Sequence, residues 1–164
     1  MLTRRIAAPM IAMQFATALV FAQPPAPAFQ AFGRQEQAAI YAAALRDTFQ
    51  PEASPHFDTP PRVFLGVRPH KDPSPELLLL VADLPFGVRK RSECPERRTP
   101  VGVRCVLAAG EAEVWLGAIT RVGQDEAELV VAVEAVSCRR RVRREAGVWR
   151  MVTHWEFAGP CRVE

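Results

Sequence analysis

The chain has 164 residues, 49% of them apolar and 24% charged. That balance excludes a low-complexity or disordered protein and suffices for one domain with a real core. The formal charge of +3 comes from 21 Lys and Arg against 18 Asp and Glu. Two of the arginines lie in the first five residues, so the remainder is nearly neutral and its charge gives no argument for nucleic acid or for an acidic partner.

Met1-Leu-Thr-Arg-Arg5 is a short basic start, and Ile6 to Phe21 is almost wholly apolar. Val20-Phe-Ala22 ends in a small residue with a permitted Val two before it, so residues 1–22 are read as a signal peptide cut after Ala22. The alternative is an uncleaved membrane anchor. Against it, the apolar run is slightly short for a span of about 20 residues and Pro9 interrupts it. No cysteine sits at the cleavage point, which argues against lipidation. The expected location is therefore periplasmic or secreted. Residues 23–34, with three prolines and a glycine, are expected to be a flexible segment. Residues 35–164 form a single domain.

Gln35 to Gln50 is the clearest helix. Tyr41, Leu45 and Phe49 recur at i, i+4 and i+8, Ile40 and Ala44 widen the stripe, and Pro51 ends it. Residues 51–75 hold seven prolines and read as a rigid connection around one strand, Arg62–Val67. That strand is apolar enough to be buried on both faces. Ser74-Pro-Glu76 opens a short helix through Leu77–Leu80, which Pro85 closes. Residues 86–105 are basic and turn-rich, with a short strand starting near Val88. Four strands follow, at Glu113–Arg121, Glu126–Val136, Cys138–Ala146 and Val148–Phe157, with turns at Gly123-Gln-Asp and Ala146-Gly147. The join at Ala135–Ser137 fits either a tight turn or a bulge. Trp149, Met151, Trp155 and Phe157 share one parity and should form the core face, leaving Arg150 and His154 on the other. The predicted fold class is α+β: one long and one short helix packed on a curved antiparallel sheet with a C-terminal four-strand meander.

The four cysteines, Cys94, Cys105, Cys138 and Cys161, all follow the leader and are even in number. In an exported chain that predicts two disulfides. Of three possible pairings the two local closures are preferred, Cys94–Cys105 and Cys138–Cys161. No C-x-x-C is present, which argues against a zinc site and against a redox catalyst.

His56 with Asp58, and His70 with Asp72, are two His-x-Asp pairs that could ligate a metal together, but their spacing matches no known signature. They are equally ordinary turn residues. No metal, cofactor or catalytic residue is assigned. The serines stand in no nucleophile motif, and no glycine-rich phosphate loop is present. The strongest surface feature is basic. Arg89-Lys-Arg91 with Arg97, Arg98 and Arg104 forms one cluster, and Arg139-Arg-Arg141 with Arg143 and Arg144 forms another. On a strand Arg139, Arg141 and Arg143 share a face. They are the candidate anion-binding residues, for an anionic envelope component. The competing reading pairs them with Glu126, Glu128 and Glu134 on the preceding strand.

Gly147-Val-Trp-Arg-Met-Val152, Tyr41 in the first helix and Pro61-Arg-Val-Phe-Leu65 together resemble small exported bacterial proteins of unknown function, some with cystatin-like or nuclear-transport-factor-like folds. The latter fold implies a longer helical opening and a pocket holding a carboxylate and a histidine. Neither is visible here, so no catalytic residue carries over. The leading expectation is a non-catalytic binding or structural protein of the cell envelope. The alternatives are an anion-binding module built on the arginine strand and a pocket enzyme of nuclear-transport-factor-like shape. Nucleic acid is not expected as a partner, and a membrane is expected only through an uncleaved leader.

Overall fold

The computed structural model describes residues 31–49, 60–100, 102–152 and 161–163. His56, Asp58, His154, Trp155 and Phe157, and residues 1–22 of the expected signal peptide, lie outside the described residues.

Helix α1 runs from Arg34 to Thr48. Its alanines let the helix sit close to the sheet, and Ile40, Tyr41, Ala44, Leu45 and the flanking Phe49 are all buried. The predicted stripe is therefore the packed face. Thr48 is buried as well and spends its hydroxyl on the Ala44 carbonyl, 2.7 Å away. The Tyr41 hydroxyl donates to the Gly117 carbonyl at 3.0 Å, tying the helix to a bend between strands. Burial pushes the Tyr41 phenol up from its usual pKa. The folded body reaches back to Phe32, whose ring meets Trp149 edge-on with centroids 5.7 Å apart. Helix α2, Pro75–Leu80, starts as its sequence predicts: the Ser74 hydroxyl accepts from the Leu77 N–H at 3.3 Å and Pro75 fills the first turn.

Ten strands follow in chain order: β1 Arg62–Val67, β2 Gly87–Lys90, β3 Glu96–Thr99, β4 Gly102–Cys105, β5 Glu111–Leu116, β6 Thr120–Gly123, β7 Glu126–Val133, β8 Val136–Glu145, β9 Val148–Met151 and β10 Cys161–Val163. Eight form one curled sheet in the order β10-β8-β7-β5-β1-β2, with β6 also on β7 and β9 also on β8. β3 and β4 make a separate hairpin. The fold is α+β and mostly antiparallel. The departure is β1, which runs parallel to both its neighbours, β2 and β5. Parallel pairing needs a crossover; α2 provides it between β1 and β2. Two parallel neighbours also explain why four consecutive residues of β1, Val63 to Gly66, are buried.

The expected strand Glu113–Arg121 is two strands, β5 and β6, both lying along the same edge of β7 with a bend at Gly117. The bend is tight there: a Cβ on Gly117 would sit 3.1 Å from the Val130 carbonyl oxygen. The β7–β8 join is a two-residue turn at Glu134–Ala135, since Val133 pairs with Val136. Ala146-Gly147 is the second such turn, with φ of 48° and 81°. Positive φ at both positions is what a type I′ hairpin turn demands.

Two disulfides close the fold, Cys94–Cys105 with Cα atoms 5.7 Å apart and Cys138–Cys161 with Cα atoms 4.1 Å apart. Cys161 stands directly opposite Cys138 across the β8–β10 ladder. Such pairs fit a protein that matures in an oxidising compartment. Among the described residues no helix is long and apolar enough to cross a membrane.

Candidate functional site

The sheet has two faces of different character. Ala112, Val114 and Leu116 of β5, Ala127, Leu129, Val131 and Val133 of β7, and Val142 of β8 form the face under α1. Trp149 joins them, as its parity predicts, and Arg150 is exposed on the other side. The opposite face carries Glu111, Glu113 and Trp115 of β5, Glu126 and Glu128 of β7, and Arg139, Arg141 and Arg143 of β8. Function must be sought on this outer face, because the inner one is consumed by packing.

The arginine strand occupies one half of it. Register sets Arg143 against Glu126, Arg141 against Glu128 and Arg139 against Val130. The Arg143 guanidinium donates to Glu126 at 2.7 Å. Arg141 donates to Glu128 through Nε at 3.0 Å and again through its terminal nitrogen. Arg139 reaches the same carboxylate at 3.9 Å. The structure thus brings the three predicted residues together and surrounds them with two of the three predicted glutamates. Glu134 is instead in the β7–β8 turn. The even residues point toward the helix. Arg144 meets Glu36 at 3.7 Å, and Arg140 lies near Asp47 of α1. Burial pushes the Asp47 carboxyl up while Arg140 pulls it back, and burial lowers the Arg140 guanidinium while Asp47 opposes this.

The other half of the outer face is a groove. β5 supplies its floor, Trp115 and Glu113. One wall is the turn after β1, Arg68–Asp72, and the other is the β3–β4 hairpin with Arg104. The open volume is about 1180 Å³. Trp115 can lie flat because its register neighbour on β1 is Gly66. A Cβ on Gly66 would come within 2.5 Å of the indole ring carbons. The His70 ring stands edge-on to the indole at 5.9 Å, and the Arg91 guanidinium lies 5.8 Å from its centre. Both contacts suit the charge distribution of an aromatic ring.

Three of the groove's four acids, all but Glu134, are already engaged. Arg91 bonds Glu113 and reaches Glu96 at 3.1 Å. The Asp72 carboxylate accepts from the Ser92 hydroxyl at 2.6 Å and from the Ser92 N–H at 3.0 Å. These bonds, the hydroxyl's first, hold Asp72 below the usual carboxylate range. Asp72 therefore organises the turn Arg91–Glu93 and does not stand with His70 as a ligand pair. Among the described residues no three His, Cys, Asp or Glu side chains converge as metal ligands would.

Sequence reasoning singled out His70, Asp72 and Arg104 but not Trp115. The signal was present: in Glu111-Ala-Glu-Val-Trp-Leu116 the tryptophan shares parity with two glutamates, so it had to lie on the polar face.

No protein family, curated protein or solved structure matches this chain.

Proposed function

We propose that this is an exported, non-catalytic protein of the cell envelope that binds a polar envelope component in the groove floored by Trp115. The observation that carries the reading is the indole on the polar sheet face, laid open by Gly66 and flanked by His70 and Arg91. A half-buried aromatic surface ringed by fixed polar groups is a recognition surface. The leader and the two disulfides support the oxidising, exported setting.

The non-catalytic part rests on three of the groove's four acids, Glu134 in the β7–β8 turn being the fourth. A general acid or base must be free to exchange its proton near working pH. Asp72 is held ionised by Ser92, and Glu113 and Glu96 are held by Arg91. A pocket enzyme of nuclear-transport-factor-like shape would need a histidine beside an available carboxylate. The imidazole of His70 instead packs against Trp115.

Calorimetric titration of the disulfide-intact protein with soluble peptidoglycan fragments tests the reading. Binding is expected, and Trp115→Ala should abolish it. No binding, or binding indifferent to Trp115, would overturn the groove assignment. Export has its own test: mass spectrometry should find the N-terminus at Gln23, and an intact Met1 in the membrane fraction would favour an anchor.

A further inference from the structure

Four arginines of the outer face are matched by acids; among the described residues Arg68 and Arg150 there are not, and neither are the three of the hairpin. Arg91, Arg139, Arg141 and Arg143 all have carboxylate partners. Arg97, Arg98 and Arg104 are exposed, and none of them has an ion pair among the described residues. Arg97 and Arg104 also stand directly opposite each other across the β3–β4 ladder. Like charges at that position repel, so the arrangement weakens the hairpin unless an anion comes between them. The Cys94–Cys105 disulfide closes its base. At the other end the Thr99 hydroxyl bonds the Gly102 carbonyl at 2.8 Å, and Gly102 takes a φ of 127° that favours glycine. Beside this tip stands Val103, 52% exposed, cross-strand from Arg98. The tip sequence is Pro100-Val-Gly-Val103.

From this we infer that the hairpin Glu96–Cys105 docks the protein, tip first, on an anionic phospholipid surface. Val103 enters the interface, and Arg98, Arg97 and Arg104 meet headgroup phosphates. A strand rises about 3.3 Å per residue, so the Arg98 pair sits one step and the Arg97–Arg104 pair two steps behind Thr99–Gly102. That spread of about 7 Å matches the depth of the headgroup region. The staple keeps the loop ordered before contact, so little entropy is lost on docking. An apolar side chain between cations is rewarded at a lipid interface and not by a soluble polyanion. The hairpin also has no aromatic ring on which a base could stack. Val103 and Arg104 also line the groove, whereas Arg97 and Arg98 do not, so the latter pair separates this inference from the groove's ligand.

Flotation of the disulfide-intact exported chain tests it, with vesicles of phosphatidylcholine alone or mixed with phosphatidylglycerol. Binding is expected to the mixed vesicles only, weakening as salt rises. Each arginine near such a surface contributes about fivefold, so R97Q/R98Q/R104Q should lose roughly a hundredfold. R97K/R98K/R104K should retain most of the binding, and Val103→Ser should lose severalfold. Trp115→Ala should leave it intact, whatever peptidoglycan fragments do in the groove. Unchanged binding in the Gln variant would overturn the inference, as would loss in Trp115→Ala. Equal affinity for inorganic polyphosphate with no effect of Val103→Ser would replace it with soluble-polyanion binding.

Discussion

Trp115 lies across Gly66, its neighbour on the adjacent parallel strand, and covers the space a β-carbon would need. The indole keeps this place because β1 offers no side chain there. Gly66→Ala should therefore lift the ring, costing about 1–3 kcal/mol as other overpacking changes do. Denaturant midpoints and a shift in tryptophan emission would register it. An unchanged midpoint and spectrum would mean that the ring is not seated on Gly66.

Trp149 provides the complementary case on the inner face. It is 7% exposed and packs edge-on to Phe32. Trp149→Ala should cost about 3–5 kcal/mol, since the cavity opens under α1. Phe32→Ala should be costly too, because Phe32 also carries the Arg121 guanidinium 3.7 Å above its ring. Equilibrium unfolding measures both. A Phe32 variant as stable as the parent would detach the segment before α1 from the core.

The two disulfides should differ in what they hold. Cys138 is 1% exposed and its partner is 23 residues away on β10, so Cys138→Ser should cost about 2–5 kcal/mol. The Cys94–Cys105 bond spans 11 residues and closes a hairpin outside the main sheet. Its loss should loosen residues 94–105 more than it lowers the melting temperature. Hydrogen exchange after Cys105→Ser reads this directly: protection should fall within the hairpin and persist in β7 and β8.

The arginine strand should bind anions weakly. Arg141 and Arg143 are bonded to Glu128 and Glu126, and an incoming anion must displace those carboxylates. Changing Arg139, Arg141 and Arg143 together to Gln should leave heparin retention nearly unchanged. Tight, salt-sensitive retention lost in that variant would restore the strand as an anion site.

Asp72 supplies a pH prediction. Its folded pKa is depressed by the Ser92 hydroxyl, so its contribution to stability is complete above the unfolded pKa of about 3.9. It disappears as pH falls through the lower folded value. Ser92→Ala should raise the Asp72 titration midpoint toward the ordinary carboxylate range, seen by NMR of the side-chain carboxyl. A midpoint unmoved by the substitution would mean that the hydroxyl does not hold the carboxylate.

Local features were legible in the sequence wherever a periodicity or a terminator acts within a few residues. The α1 stripe, the Ser74 cap, the doubly buried β1, the Ala146-Gly147 turn and the face shared by Arg139, Arg141 and Arg143 all follow from side-chain spacing and backbone preference. The split of β5 from β6 was not legible, because the bend at Gly117 depends on the close approach of Val130 from another strand.

Sequence by itself determined the α+β class, which faces of α1 and β9 are apolar, and a cysteine count that suits an oxidising environment. Those properties reside in composition and in periods of two and of 3.6 residues. Tertiary structure alone decided that β1 runs parallel to β2 and β5, that Glu126 and Glu128 neutralise the arginine strand, and that Trp115 floors a groove while Arg97, Arg98 and Arg104 stay unmatched. Each of these depends on which segments become neighbours across long stretches of chain. Register and sheet order settle that, and both are set by burying all the apolar faces at once.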